Sequence, residues 1–431
     1  MRPGPAWLLA LTMVGACKDN RAGSPSPAPS AAPTAVKVET GPGSASPLSL
    51  ETLATTAGSI AIGNLDSQIR GIQRSLERNP NDVALHLGLV DTLLERGSIR
   101  GRVADYEAAI AVAERAVTLD ARGPSGLLAR ARARGRLHRF DEALADLTAA
   151  AHRGAPANEL EGQRAAIAAA RGRHQEAHTA RQRLASANRD FSTVAMLAVA
   201  TAQLERPDEA EKLFVEAQGL MNEAAPFSLV WLYFQQGLMW QEFGSPARAQ
   251  ALFENAHGRL PEHAQVAAHL AALVERRKGP AAAIEILRPI VEAADDPELG
   301  AQLGQLLERT GQAEEGRRLL AAAHRRYDEL LERHPAAFAS HGARFFLGPG
   351  RDVKRAVALA RVHREAQPDT SADLLLLEAL AASGDTRAAC DHAERALGAQ
   401  PHRQALDVAA ANAFIACGQR ERGASLLAGK R

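Results

Sequence analysis

The 431-residue chain is poor in aromatic residues, in cysteine, in surplus charge and in long apolar runs. Aromatics make up 4% of it, while much of the 46% apolar share is alanine. A composition rich in Ala and poor in Val and Ile favours helices and argues against a large sheet. Three cysteines occur, Cys17, Cys390 and Cys417, and no Cys-x-x-Cys pair exists. That count excludes a disulfide scaffold and a cysteine-based zinc site. The formal net charge is +1, so bulk charge gives no reason to expect nucleic acid as a partner. The apolar run from Ala6 to Ala16 would extend roughly 16 Å as a helix, about half a bilayer core. It is therefore too short to span a membrane and suits a secretory leader. The length allows two or three domains, or one elongated repeat array.

What is present begins with "VGAC" at Val14-Gly15-Ala16-Cys17, just after that run. The stretch resembles the lipobox of bacterial lipoproteins: an aliphatic residue, two small residues, then Cys. The resemblance implies cleavage after residue 16 and a lipid on the Cys17 thiol. Lys18 in place of Asp resembles the outer-membrane class of such proteins, facing the periplasm, although Asp19 follows at once. An ordinary secretory signal, or a mis-assigned start with a cytosolic product, are the competing readings. Residues 17–58 include "SPSPAPSAAPTAVKVETGPGSASP". With no apolar period they cannot bury enough to fold, and a tether is expected there. As a coil, it would reach roughly 35 Å.

Further along, small residues recur at Ala109, Ala143, Ala177, Ala210, Ala249, Ala283, Gly316, Ala356, Ala389 and Gly423. Most successive gaps are 33 or 34 residues, with 39 before Ala249 and 40 before Ala356. Five positions before a marker stand Gly172, Gly244, Gly311, Gly384 and Gly418. Twelve positions after one stand Pro261, Pro368 and Pro401. The fullest copy, 233–261, carries Tyr233, Gly237, Trp240, Ala249, Phe253, Ala256 and Pro261. This is similar to the tetratricopeptide repeat, with Gln236 departing where Leu is usual. The resemblance implies an all-α solenoid, a right-handed superhelix of about nine to ten helix pairs over 81–431, with a capping helix over 59–80. Gly237 and Ala249 would sit where paired helices cross, Gly244 in the turn, and Pro261 at a helix stop. The two longer gaps place extra residues near 218–230 and 324–336. The second of these reads as a lengthened helix with Tyr327, Leu330 and Leu331 on one stripe, though a break in the array is open at either site.

Motifs for chemistry are few. His174 and His178 lie one helical turn apart and could share a metal, but Glu176 fits neither zinc-protease arrangement and no third ligand is evident. A solvated surface is the plainer reading. Cys390 and Cys417 start one helix and end another, so a disulfide or two half-buried thiols are both open. "FFLGPGRD" (345–352) lacks the residues of a phosphate or dinucleotide loop and reads as a turn. No nucleophile elbow is present, and no cofactor is expected.

The resemblance also assigns a concave face to the first helix of each unit. It maps there Trp231, Phe234, Leu238 and Glu242, then Arg276, Glu308 and Arg309, and finally Phe338, His341 and Phe345. Two aromatics on a solvated face would be anchors for a protein or peptide partner; alternatively, Trp231 and Phe234 pack under the residues at 218–230. The expectation is a non-enzymatic scaffold lipoprotein of the cell envelope, for assembly or secretion. A self-associating spacer and a metal enzyme using His174 and His178 are the alternatives.

Overall fold

The computed structural model describes residues 53–399 and 404–429, and every element among them is an α-helix. Helix α1 (Gly58–Arg78) precedes ten pairs, each a first helix followed by a second. The first five pairs are α2 (Val83–Arg100) with α3 (Val103–Leu119), α4 (Ser125–Arg136) with α5 (Phe140–His152), α6 (Ala157–Ala170) with α7 (His174–Ala187), α8 (Phe191–Gln203) with α9 (Pro207–Gly219), and α10 (Phe227–Glu242) with α11 (Pro246–Arg259). The next five are α12 (Ala264–Lys278) with α13 (Pro280–Val291), α14 (Pro297–Arg309) with α15 (Ala313–Arg333), α16 (Pro335–Leu347) with α17 (Val353–Ala366), α18 (Thr370–Ser383) with α19 (Thr386–Ala399), and α20 (Gln404–Ala416) with α21 (Arg420–Leu427). The chain is thus an all-α solenoid of helical hairpins.

The repeat period has a direct physical cause. All ten marker residues fall in second helices, nine of them at the fourth position, and all ten are buried. There a side chain larger than methyl would push the paired helices apart. At Gly237 the partner is the ring of Phe253, so close that a Cβ on residue 237 would lie 2.4 Å from its edge. Gln236, the departure from the repeat pattern, is buried and bonded. Its Nε2 and the indole Nε1 of Trp240 donate to one oxygen of Glu211 on α9, at 2.8 and 2.9 Å.

The turn five positions before the marker is built from left-handed backbone. Gly172, Gly244, Gly311, Gly384 and Gly418 all have φ between 72° and 94°. The same position is left-handed in three pairs that have no glycine there: His138 (φ 54°), Glu205 (φ 61°) and Arg351 (φ 50°). Hairpin geometry therefore imposes the conformation, and a non-glycine residue accepts a cost of roughly 1–2 kcal/mol to occupy it. The longer gaps are explained too. Helix α15 is extended to 21 residues, with Tyr327, Leu330 and Leu331 buried along one side, while residues 220–226 form a long connection before α10.

The superhelix closes on itself after about two hundred residues. Turns of the early hairpins meet the starts of later first helices. Asp295 accepts hydrogen bonds from the backbone N–H groups of Val103 (2.6 Å) and Ala104 (3.2 Å), capping α3 from 192 positions away. Arg102 precedes α3 without a side-chain cap of its own, so Asp295 satisfies donors that would otherwise be orphaned. Glu107 pairs with Arg333 and with His334 (2.8 Å). His138 Nδ1 lies 3.3 Å from the carbonyl oxygen of Ala336. At the start of the array, Arg259 donates to the Leu53 carbonyl (2.8 Å) and the Thr55 hydroxyl (3.1 Å). One apolar core consequently runs from Ile62 on α1 through Val230 on α10 to Val274 on α12.

Two outcomes follow. Gly237→Ala forces the Phe253 ring aside and lowers stability by roughly 1–3 kcal/mol, read as a drop in thermal midpoint. Glu95 on α2 is pushed up to about 7 by burial, then by Glu223 and Asp91. Its unfolded value is near 4.5, so between these limits the folded chain holds a proton that the unfolded chain has lost. Stability therefore falls as pH rises through that window and stays low above it. Glu95→Gln raises the midpoint at pH 8, by roughly 2–3 kcal/mol of stability, and leaves it nearly unchanged at pH 4. Equal gains at both pH values would contradict this origin.

Candidate functional site

The inner wall of the solenoid differs from an open trough. Helix α10 is buried on all sides: every residue from Leu229 to Trp240 is buried. A helix apolar all round belongs inside a structure. Phe234 has no exposed surface, and its ring centroid lies 5.9 Å from Phe253, 5.7 Å from His263 and 5.5 Å from His269. Trp231, Leu238 and Phe345 are buried as well, Phe345 against Tyr327 with centroids 4.8 Å apart. This corrects the expectation that these four side chains face solvent as anchors. The rings around Phe234 come from α11 and from the start of the next hairpin, α12, so neighbouring hairpins cover it. The run "FSLVWLYFQQGLMW", apolar almost throughout, is the sequence signal for such burial.

The remaining groove candidates divide into two sets. Glu242, Arg276, Glu308 and Arg309 are exposed near the C-terminal ends of α10, α12 and α14. Arg309 pairs with Glu275 at 2.6 Å. Phe338 and His341 on α16 line a cavity of about 180 Å³.

That cavity lies where the second superhelical turn meets the first. Tyr106, Arg136 and His138 reach it from the early hairpins, and Glu298, His341 and Arg344 from the later ones. His341 Nδ1 is 2.6 Å from Glu298 Oε2. Burial opposes charge on both, yet their mutual attraction wins: Glu298 is held below, and His341 above, its ordinary value. Burial, reinforced by Glu298, pushes Asp296 up to about 6. Burial also keeps three imidazoles neutral, His138 and His269 at about 4 and His363 at about 3. The site therefore combines one ion pair, neutral imidazoles and guanidinium groups in a low-dielectric setting, where each interaction is strengthened.

His174 lines the same cavity, whereas His178 is buried in its helical hairpin, its pKa lowered by burial and then by Arg206. Among the described residues no group of three or more metal-ligating side chains is assembled, so the pair gains no third ligand there. Cys390 and Cys417 are joined by a disulfide that ties α19 to the end of α20. Of the 345–352 stretch, expected as a turn, residues 345–347 end α16 and 348–352 form the turn, where Asp352 caps α17 by accepting from the Arg355 N–H at 2.9 Å. Cys17 and Pro401 lie outside the described residues. Glu298, Arg136, His138, Arg344 and His363 escaped the sequence reading, and Asp296, read there with Asp295 as a solvated acidic pair, is buried. They fall at helix ends and in turns, which the closure of the superhelix brings together.

No family model matches the chain, and no curated protein does. Among solved structures, helical-repeat proteins are similar. The Cut9–Hcn1 hetero-tetramer of the APC/C matches with 14% identity and a TM-score of 0.42, over 71% of this chain and 56% of that one. This chain thus spans just over half the length of that relative. A monomeric IFIT1 mutant with Gppp-AAAA matches at 12% identity and TM-score 0.43, over 84% and 94% of the two chains. YrrB, described as a TPR protein with an unusual peptide-binding site, matches at 16% identity and TM-score 0.28, over 48% and 97%. With every score below 0.5, these likenesses carry no inference about activity.

The corrected placement of Phe234 has a measurable outcome. Phe234→Ala lowers stability by roughly 3–5 kcal/mol, the cost of deleting a buried aromatic, in a denaturant titration. A variant as stable as the parent would return Phe234 to the surface.

Proposed function

We propose that the chain is a non-enzymatic scaffold of the bacterial cell envelope that holds a protein partner for assembly or secretion. It would be tethered to the outer membrane through a lipid on Cys17. The observation that supports the scaffold role is the row of exposed charges Glu242, Arg276, Glu308 and Arg309 on three successive first helices. A rigid solenoid presents such groups at fixed spacing, which suits recognition of an extended partner of mixed charge.

A photo-crosslinking residue placed at Arg276 or Glu308 is expected to capture a discrete protein in intact envelopes. The same residue at Arg318, exposed on the second helix α15, is not. Adducts of equal yield at all three positions, or none at Arg276 and Glu308, would overturn the reading. The tether is tested separately: Cys17→Ser is expected to shift the protein from the membrane to the soluble fraction, and a protein that stays with the membrane removes the anchor.

A further inference from the structure

The inter-turn cavity holds more positive hydrogen-bonding capacity than its own residues use. Its carboxylates are engaged. Glu298 accepts from His341 at 2.6 Å. Asp369 accepts the backbone N–H groups of Ser371 and Ala372, each at 2.9 Å. Asp296 accepts from the Glu298 N–H at 2.9 Å. Arg344 lines the same space, and among the described residues its guanidinium has neither a hydrogen bond nor an ion pair. Burial disfavours its charge, while Glu298, Glu378 and Asp369 favour it from beyond bonding distance. A guanidinium keeps its proton in such a setting, so the cation stands without a direct counter-ion.

A second group points the same way. His363 on α17 lines the cavity and is only 5% exposed; among the described residues neither ring nitrogen has a partner, and with Nδ1 sealed off, Nε2 is the nitrogen that meets a ligand. A buried ring nitrogen left unpaired costs about 1–3 kcal/mol. His138, from the opposite superhelical turn, completes the wall. Its Nδ1 lies 2.8 Å from Gln367 Nε2. It also occupies the left-handed turn position that glycine fills in five other hairpins, so a side chain is kept there against a backbone cost.

Size narrows the occupant. An engineered cavity of about 150 Å³ admits one benzene molecule, and this one measures about 180 Å³. It has room for one ring or its equivalent, and none for a folded partner or a long peptide segment.

We propose that this cavity binds a small organic oxyanion, a carboxylate or phosphate ester about the size of one ring, with its charged oxygens on Arg344 and His363 and its body between the two superhelical turns. The site is independent of the exposed charge row and stands whether or not that row binds a partner. Because both turns contribute, occupancy would couple a small molecule to closure of the superhelix.

The test uses the purified full chain, with benzoate and phenyl phosphate as probes, and benzyl alcohol and benzamidine as neutral and cationic counterparts of similar size. Isothermal titration is expected to show one site for benzoate, phenyl phosphate or both, and at least tenfold weaker binding of the two counterparts. Preference between the two anions separates the carboxylate from the phosphate case, and either outcome supports the proposal. Arg344→Gln and His363→Gln are each expected to weaken anion binding at least tenfold, and the ligand-free thermal midpoint of His363→Gln stays level or rises, because it removes an unsatisfied buried ring nitrogen. The histidine variant serves if the arginine variant does not fold. Absence of anion binding at millimolar concentration, equal affinity for benzyl alcohol, or unchanged affinity in both variants would each overturn it.

Discussion

The structure depends on the close approach of two helices at one small residue, repeated ten times. A single hairpin is too thin to bury its own apolar face. Each gains stability first from the hairpin beside it, so nearest-neighbour contacts form the first layer that holds the array. Contact at that distance requires Ala or Gly where the helices cross, as at Gly237 beneath the Phe253 ring. It also requires a tight left-handed turn before the second helix. Those two demands, steric and conformational, set the period of the chain.

Closure of the superhelix adds a second layer of contacts that has no counterpart in the repeat. Asp295 capping α3, Glu107 meeting Arg333 and His334, and Arg259 holding the backbone at Leu53 join segments about two hundred residues apart. Several of these are polar and partly exposed, and each alone contributes little. The apolar core from α1 to α12 that they enclose contributes far more. Closure also changes the inside of the solenoid. Where an open array would offer a wet trough, this chain has a small polar cavity whose walls come from both turns.

The hairpin fold was legible because its causes are local. Ala249, Phe253 and Gly244 lie within one hairpin, and their spacing is fixed by the geometry of two helices and a turn. Even so, three turns were hidden. His138, Glu205 and Arg351 adopt the left-handed conformation without the glycine that announces it, because the hairpin imposes the backbone whatever residue is present. Gln236 broke the pattern on paper, but in space it shares Glu211 with Trp240. The inner-wall candidates were legible in part. Phe338 and His341 line the cavity, whereas Phe234 and Trp231 are core, Phe234 against rings of its own hairpin and the next.

The sequence alone determined the helical class, the period, the small residues at each crossing and the pairs of helices they join. These follow from interactions between residues within about thirty-five positions of one another. Tertiary structure alone decided which early turns meet which later helices, and that Arg344, His363 and His138 face one space. Pitch accumulates small rotations over many hairpins, and no short stretch of chain encodes their sum.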